Sequence, residues 1–366
     1  MRACRFLMRC LITYATCCAA LAIFLGELAF RPQRRPLSHR VMAQATAARF
    51  GATLQDVSVT ASDGARLQGW FARPAKSNGD AVILLHGVAD NREGMVGFAE
   101  LFLSHGYSVL LPDSRAHGLS GGDFSTYGVK EAGDVRAWYG WLEGRDRPNC
   151  IFGMGESMGA AIVLQTIKTT PFGALVAESP FASFRQIAYI RVGQVFHAGS
   201  WLGRTVLRPA VELALIYGRV TRGVNLAAAS PEESVAGSRV PILLIHGLAD
   251  DNIPPQQSEM IRARNPADIT LWEVPDAGHC GASTAAPAEF NARVIAWFNM
   301  HRTTPTATRA RCRLVTQRFR RSRFLNRRFD ARNSRTSSTQ CCRCVSRRRR
   351  LIPAFSFPAQ FPFVPA

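Results

Sequence analysis

Ser157 lies in the run Cys150-Ile-Phe-Gly-Met-Gly-Glu-Ser-Met-Gly-Ala-Ala161, where an apolar strand enters Gly155-Glu-Ser-Met-Gly159 and then a helix of small residues. A serine set between glycines at such a junction reads as a nucleophile elbow. The sharp turn holds the hydroxyl out at the end of the sheet, and the glycines remove side chains that would strike neighbouring backbone. Met158, first in the helix, offers a backbone N–H where an unsatisfied helix start favours developing negative charge. Alone the motif is weak, since with glycine near ~7% a chain of this length holds one by chance at a rate on the order of 0.1. Two runs nearer the C-terminus give it weight. The apolar run Ile242-Leu-Leu-Ile-His246 ends in Gly247-Leu-Ala-Asp250, and Ile269-Thr-Leu-Trp-Glu-Val274 is followed by Ala277-Gly-His279. Serine, carboxylate and imidazole at three strand ends are the parts of a histidine-activated nucleophile, with an acid to orient the histidine. Asp251 competes with Asp250 for the acid role. Upstream, Ala81-Val-Ile-Leu-Leu85 leads into His86-Gly87-Val88, a loop placed to supply the Val88 N–H as a second donor to an oxyanion. An ordinary loop histidine and a surface carboxylate are the bland alternatives, and three coincidences in order argue against them. His86, Arg115, His117 and His246 read as structural loop residues, and Cys280 as a packed neighbour of His279.

The elements that must position these groups follow from the pattern. Strands are expected at Val57–Val59, Leu67–Phe71, Ala81–Leu85, Ser108–Leu111, Cys150–Phe152, Ala174–Ala177, Ile242–Ile245 and Ile269–Val274, with helices between most of the later ones. Such alternation implies an α/β fold: an open, mostly parallel, doubly wound sheet with an antiparallel start and helices on both faces. Sites in sheets of this kind sit beyond the carboxyl ends of the strands. The segment Met158–Thr169 is expected as a close-packed helix, and Asp134–Leu142 as an amphipathic one covering the core. From 180 to 237 the alternation stops and aromatic and aliphatic residues recur at helical spacing, among them Phe184, Ile187, Trp201, Leu213 and Ile216.

From about Gly51 to Met300 the chain resembles the serine α/β-hydrolases of the broad esterase, monoacylglycerol-lipase and S33-type serine peptidase group. The residues that carry the resemblance are His86-Gly87, Asp113-Ser-Arg-Ala-His-Gly-Leu-Ser120, Gly155 to Gly159, His246-Gly-Leu-Ala-Asp250 with Ile253-Pro254, and Gly278-His279. The resemblance implies the α/β-hydrolase fold with a helical cap insertion at 180–237. It implies a triad of Ser157, His279 and Asp250, the acid standing four residues after His246 and so preferred over Asp251. Val88 and Met158 would form the oxyanion hole, with no cofactor and no metal. Similar proteins often have glycine where Ala116 stands. Aspartate at the elbow suits halide or epoxide cleavage and cysteine suits dienelactones, whereas serine suits acyl transfer to water. The expected reaction is hydrolysis of a carboxylic ester or thioester of a hydrophobic acyl group. An S33-type peptidase, and a catalytically silent membrane-tethered scaffold, are the alternatives.

Charge divides the chain into three segments. Residues 1–50 carry eight Arg and one Glu, net +7, and residues 301–366 carry seventeen Arg and one Asp, net +16, which leaves −4 of the total +19 for residues 51–300. The basicity thus belongs to the ends and not to the 51–300 hydrolase domain. At the N-terminus, seventeen uncharged residues from Cys10 to Gly26 lie between arginines, which suits a single-pass anchor within the ~17–25 residue range. A cleaved signal with Ala20-Leu21-Ala22 as its small-residue site, and a secreted or periplasmic product, is the alternative. The 301–366 tail, arginine-rich and then Pro/Phe-rich, has little helical or strand period and is expected to be disordered. It is read as an appendage without function, or as a contact to anionic lipid or nucleic acid. Cys341-Cys342-Arg343-Cys344 lacks the paired spacing of a zinc site.

Overall fold

Each of the eight apolar runs forms a strand in a computed structural model that describes residues 1–302; the tail from 303 to 366, with Cys312, Cys341, Cys342 and Cys344, lies outside the described residues. The strands are β1 (Gln55–Thr60), β2 (Arg66–Ala72), β3 (Ala81–Leu85), β4 (Ser108–Pro112), β5 (Ile151–Glu156), β6 (Leu175–Glu178), β7 (Ile242–Gly247) and β8 (Ile269–Val274). They form one sheet in the order β1-β2-β4-β3-β5-β6-β7-β8. The β1–β2 and β2–β4 pairs are antiparallel and all the others parallel, so the antiparallel start is where the sequence placed it. The helices are α1 (Arg2–Phe30), α2 (Arg40–Arg49), α3 (Val96–Ser104), α4 (Glu131–Arg145), α5 (Met158–Gln165), α6 (Phe184–Val195), α7 (Ser200–Arg204), α8 (Arg208–Arg222), α9 (Pro231–Val235), α10 (Gln256–Ala263), α11 (Ala282–Ala285) and α12 (Pro287–Met300).

Period-two alternation divides the core in two. Trp70 of β2 with Val82 and Leu84 of β3 face a cluster completed by Phe98 and Phe102 of α3 and Phe290 and Phe298 of α12. Phe71, Ile83 and Leu85 face the other way, onto Trp138 of α4 and Ile162 of α5. Both faces of the central strands are covered, which is why those strands read as unbroken apolar runs. Helix α5 ends at Gln165 rather than Thr169. There Thr166 folds back, its N–H and hydroxyl both donating to the Val163 carbonyl, and Thr169 repeats this onto Thr166.

The 180–237 insertion carries α6 to α9 between β6 and β7. Its apolar residues divide sharply. Phe181, Phe184, Ile187, Ile190 and Leu215 are buried in a third cluster with Ala161 of α5 and, unforeseen from sequence, Phe30 of α1. Val195, Phe196, Trp201, Leu213 and Ile216 are exposed. Helix α8 begins with Pro209 in its first turn and stops at Gly223, whose φ of 66° is the left-handed form that ends helices.

Candidate active site

The turn after β5 places Ser157 in a backbone conformation a serine rarely adopts, with φ 50° and ψ −114°. Its N–H donates to the Glu178 carbonyl of β6 at 2.8 Å and its carbonyl accepts the Ala161 N–H, so the strained residue is held from both sides. The flanking glycines are required by space. A Cβ on Gly155 would meet the Gly159 carbonyl at 2.4 Å, and one on Gly159 would meet the Leu85 carbonyl oxygen at 2.1 Å.

Two further strand ends converge on this serine. His279 Nε2 lies 2.9 Å from Ser157 Oγ, and His279 Nδ1 lies 2.8 Å from Asp250 Oδ2. An ionised carboxylate only accepts hydrogen bonds, so Nδ1 carries the proton and the Nε2 lone pair faces the serine hydroxyl. Asp250 also accepts the N–H groups of Asn252 and Ile253 on Oδ1, and His246 Nε2 lies 3.3 Å from Oδ2. Burial pushes the Asp250 carboxyl up. The hydrogen bonds from His246 and His279 outweigh that and hold it well below the usual carboxylate range. Asp251 is exposed, and only its carbonyl is engaged, by Gln194 of α6.

The loops that carry Asp250 and His279 are tied together. The Ala249 N–H donates to the Ala277 carbonyl, and a Cβ on Gly247 would sit 2.2 Å from that same oxygen. On the other side, Gly87 lies against the serine, where an added Cβ would be 3.5 Å from Ser157 Cβ. This sets the His86–Val88 loop beside Ser157, which Met158, first of α5, follows directly in the chain.

Three other histidines, His86, His117 and His246, sit in structural hydrogen-bonding settings. His86 Nδ1 donates to the Gly87 carbonyl and Nε2 accepts the Ser114 N–H, while burial lowers its pKa. His117 packs edge-on to His86 and donates to the Arg115 carbonyl, and burial lowers its pKa to about 3. Arg115 forks onto Asp134 and reaches Asp63. His246 belongs to β7 itself; it donates through Nε2 to the Ile253 carbonyl and accepts from Ser258. Asp113 accepts the Arg92 guanidinium and the N–H groups of Arg92 and Leu119, which fastens the 113–120 loop.

Sequence reasoning missed Glu178. It ends β6 fully buried, accepts the Ala282 N–H at 2.9 Å just beyond His279, and leaves Oε2 without a partner among the described residues. Burial, then the charge of Asp250, raise its pKa to about 7 against the Ala282 N–H and His246. Next to it, Cys280 has φ 53° and its N–H donates to Ser179 Oγ; burial first, then Glu156, push its thiol well up. Only a glutamate two residues before Pro180-Phe181 could be seen in the sequence, and nothing local marks it as buried.

The model of the α/β hydrolase family matches residues 82–293, more than half of the chain. Rv2307c, an uncharacterized protein of Mycobacterium tuberculosis, is 32% identical over 230 residues, 62% of this chain and 72% of that protein. The lysophosphatidylserine lipase ABHD12 of Danio rerio is 27% identical over 195 residues, which is 51% of this chain and 47% of that one. Among solved structures, the Pyrococcus furiosus esterase Pf2001 superposes with a TM-score of 0.59 at 25% identity, covering 75% of this chain and 99% of the esterase. Esterases and a lipase thus stand among the similar proteins and support a hydrolase activity. By the family match and the sheet that carries its site, the chain belongs to the α/β hydrolase family.

Proposed function

We propose that the protein is a serine hydrolase that cleaves a carboxylic ester or thioester of a hydrophobic acyl group, and that α1 holds it at a membrane. The observation that carries the reading is the unbroken chain from Ser157 Oγ to His279 Nε2 and from His279 Nδ1 to Asp250, at 2.9 and 2.8 Å. His279 takes the Ser157 proton as Oγ attacks the carbonyl carbon. Asp250 fixes the tautomer and offsets the charge of the imidazolium. The Val88 and Met158 N–H groups receive the oxyanion, each worth about 3 kcal/mol of barrier in sites of this kind. The imidazolium then protonates the leaving alcohol or thiol. Water, deprotonated by the same histidine, releases the acid from the acyl-enzyme.

The apolar inner faces of α6 and α8, joined by Phe30, favour a hydrophobic acyl chain. The likeness to a lysophosphatidylserine lipase over half of the chain supports an acyl lipid. Among the described residues, α1 is the helix long and apolar enough to cross a membrane. A fluorophosphonate probe is expected to label the parent chain and to leave Ser157→Ala unlabelled. A p-nitrophenyl ester series is expected to be turned over with a preference for longer chains, and aminoacyl and peptide substrates to be left intact. An unlabelled parent chain refutes the serine-enzyme reading, and peptide cleavage in preference to esters refutes the ester reading.

A further inference from the structure

Helix α1 does not stand apart from the body. Cys18, Ala22, Gly26 and Phe30, spaced by four, form its buried stripe. A Cβ on Gly26 would lie 2.7 Å from the Tyr217 ring of α8, and Phe30 packs on Gly218. Glu27 receives the Tyr217 hydroxyl at 2.7 Å and the Arg222 guanidinium at 2.6 Å, while the Tyr14 hydroxyl donates to the Val206 carbonyl. Tyr14–Phe30 therefore runs alongside Val206–Arg222.

That contact limits how α1 can meet a membrane. The uncharged run, Cys10 to Gly26, shares all but its first four residues with the α8 contact. The free part, residues 1–13, is about 20 Å long at ~1.5 Å per residue, short of the ~30 Å hydrocarbon core. An α1 that enters a bilayer by its uncharged run carries α8 to that bilayer.

The surface α8 brings is suited to it. Leu213, Ile216 and Val220 recur at helical spacing on its free side, Val220 being 77% exposed, and Val206 and Trp201 extend the apolar surface toward α7. Arg208 and Arg219 flank this stripe on the side away from α1, with stems long enough to reach headgroups while their carbons stay in the acyl region. From 184 to 222 the cap carries six Arg and one Glu, a charge that complements anionic lipid. The opposite faces of α6 and α8 join Ala161 on the helix that Ser157 heads.

We propose that the α7–α8 edge of the cap is itself a membrane-binding surface that lies beside α1 in the interfacial layer of an anionic bilayer and loads the acyl site from it. The proposal rests on the reading of α1 as a membrane anchor. The test uses the full chain with phosphatidylglycerol-containing vesicles, their acyl chains brominated near the carbonyl end. Ile216→Trp and Val220→Trp are the reporters, and Met300→Trp, exposed on α12, is the reference. The expected result is a chain that sediments with the vesicles and loses the added fluorescence of both reporters, but not that of the reference, when the lipid is brominated. A chain that sediments with reporters no more quenched than the reference, as a stripe covered by a second copy would be, overturns the cap surface and leaves the anchor standing. A chain that stays in the supernatant overturns both.

Discussion

Asp250 and Asp251 are neighbours with opposite settings, one locked between two imidazoles and two backbone N–H groups and the other facing solvent. Asp250→Asn is expected to lower kcat for a p-nitrophenyl ester by about 10⁴-fold, through the loss of the tautomer that leaves Nε2 free to accept. Asp251→Asn is expected to stay near the parental rate. Steady-state kinetics of the two purified variants decide it, and an equal loss in both would reassign the acid. Glu178 carries a pH signature of its own. The native carboxyl keeps its proton up to about 7, whereas in the unfolded chain it is released near ~4.3. Stability therefore falls as pH rises across that window. Glu178→Gln keeps an acceptor for the Ala282 N–H and cannot ionise. It is expected to flatten this fall, gaining about 4 kcal/mol over the parent at pH 8 and little at pH 4 by urea titration. Ala116 has φ 60°, so the departure from the glycine that similar proteins often have there is a departure into strain. Ala116→Gly is expected to raise the melting temperature, the release of about 1 kcal/mol of left-handed strain. The meeting of Ser157, His279 and Asp250 was legible because each follows a strand with its own local motif. Glu178 was not, because its burial comes from β5, β7 and the Ala282 turn, none of which adjoins it in the chain.

At the scale of elements, the site depends on how closely the β7 and β8 ends approach. Gly247 closes β7 with no room for a methyl group against the Ala277 carbonyl, and Ala277 lies two residues before His279. Gly247→Ala is expected to displace the histidine loop. Ester turnover should fall at least about tenfold with a stability loss of about 1–3 kcal/mol, the usual range for overpacking; unchanged kcat and melting would show that the loop does not need the contact. All eight strands and the pairing of antiparallel start with parallel body were legible, since an apolar run bounded by turn residues is a local signal. The insertion was legible as helical and apolar only. Its division into a buried and an exposed side is decided by what it packs against, α1 and α5 among them, and helical spacing alone does not say which side faces what. The same holds for the glycines at 26, 155, 159 and 247, whose need for close approach belongs to the packing around them and not to their own spacing.

At the scale of the whole chain, the described residues end where the arginine-rich segment begins. The described residues end with Arg302 paired to Asp80, and Arg302 is the first of the seventeen arginines of residues 301–366. Truncation after Arg302 is expected to leave the melting temperature and the turnover of a soluble ester unchanged. Removal of Arg302 as well leaves the buried Asp80 without its partner and is expected to lower stability by about 1–3 kcal/mol. Differential scanning calorimetry of the two truncations separates them. Helix α1 has its own history in time. Glu27 meets Tyr217 across 190 residues of chain. At ~5–20 residues per second of synthesis, α1 waits about 10–40 s for its partner. Through that interval its Cys18-Ala22-Gly26 stripe is open, and, where α1 serves as an anchor, any other small-faced helix in the membrane competes for it. An α1 that acts as an anchor is therefore a lone helix in the membrane before the fold around Ser157 can form.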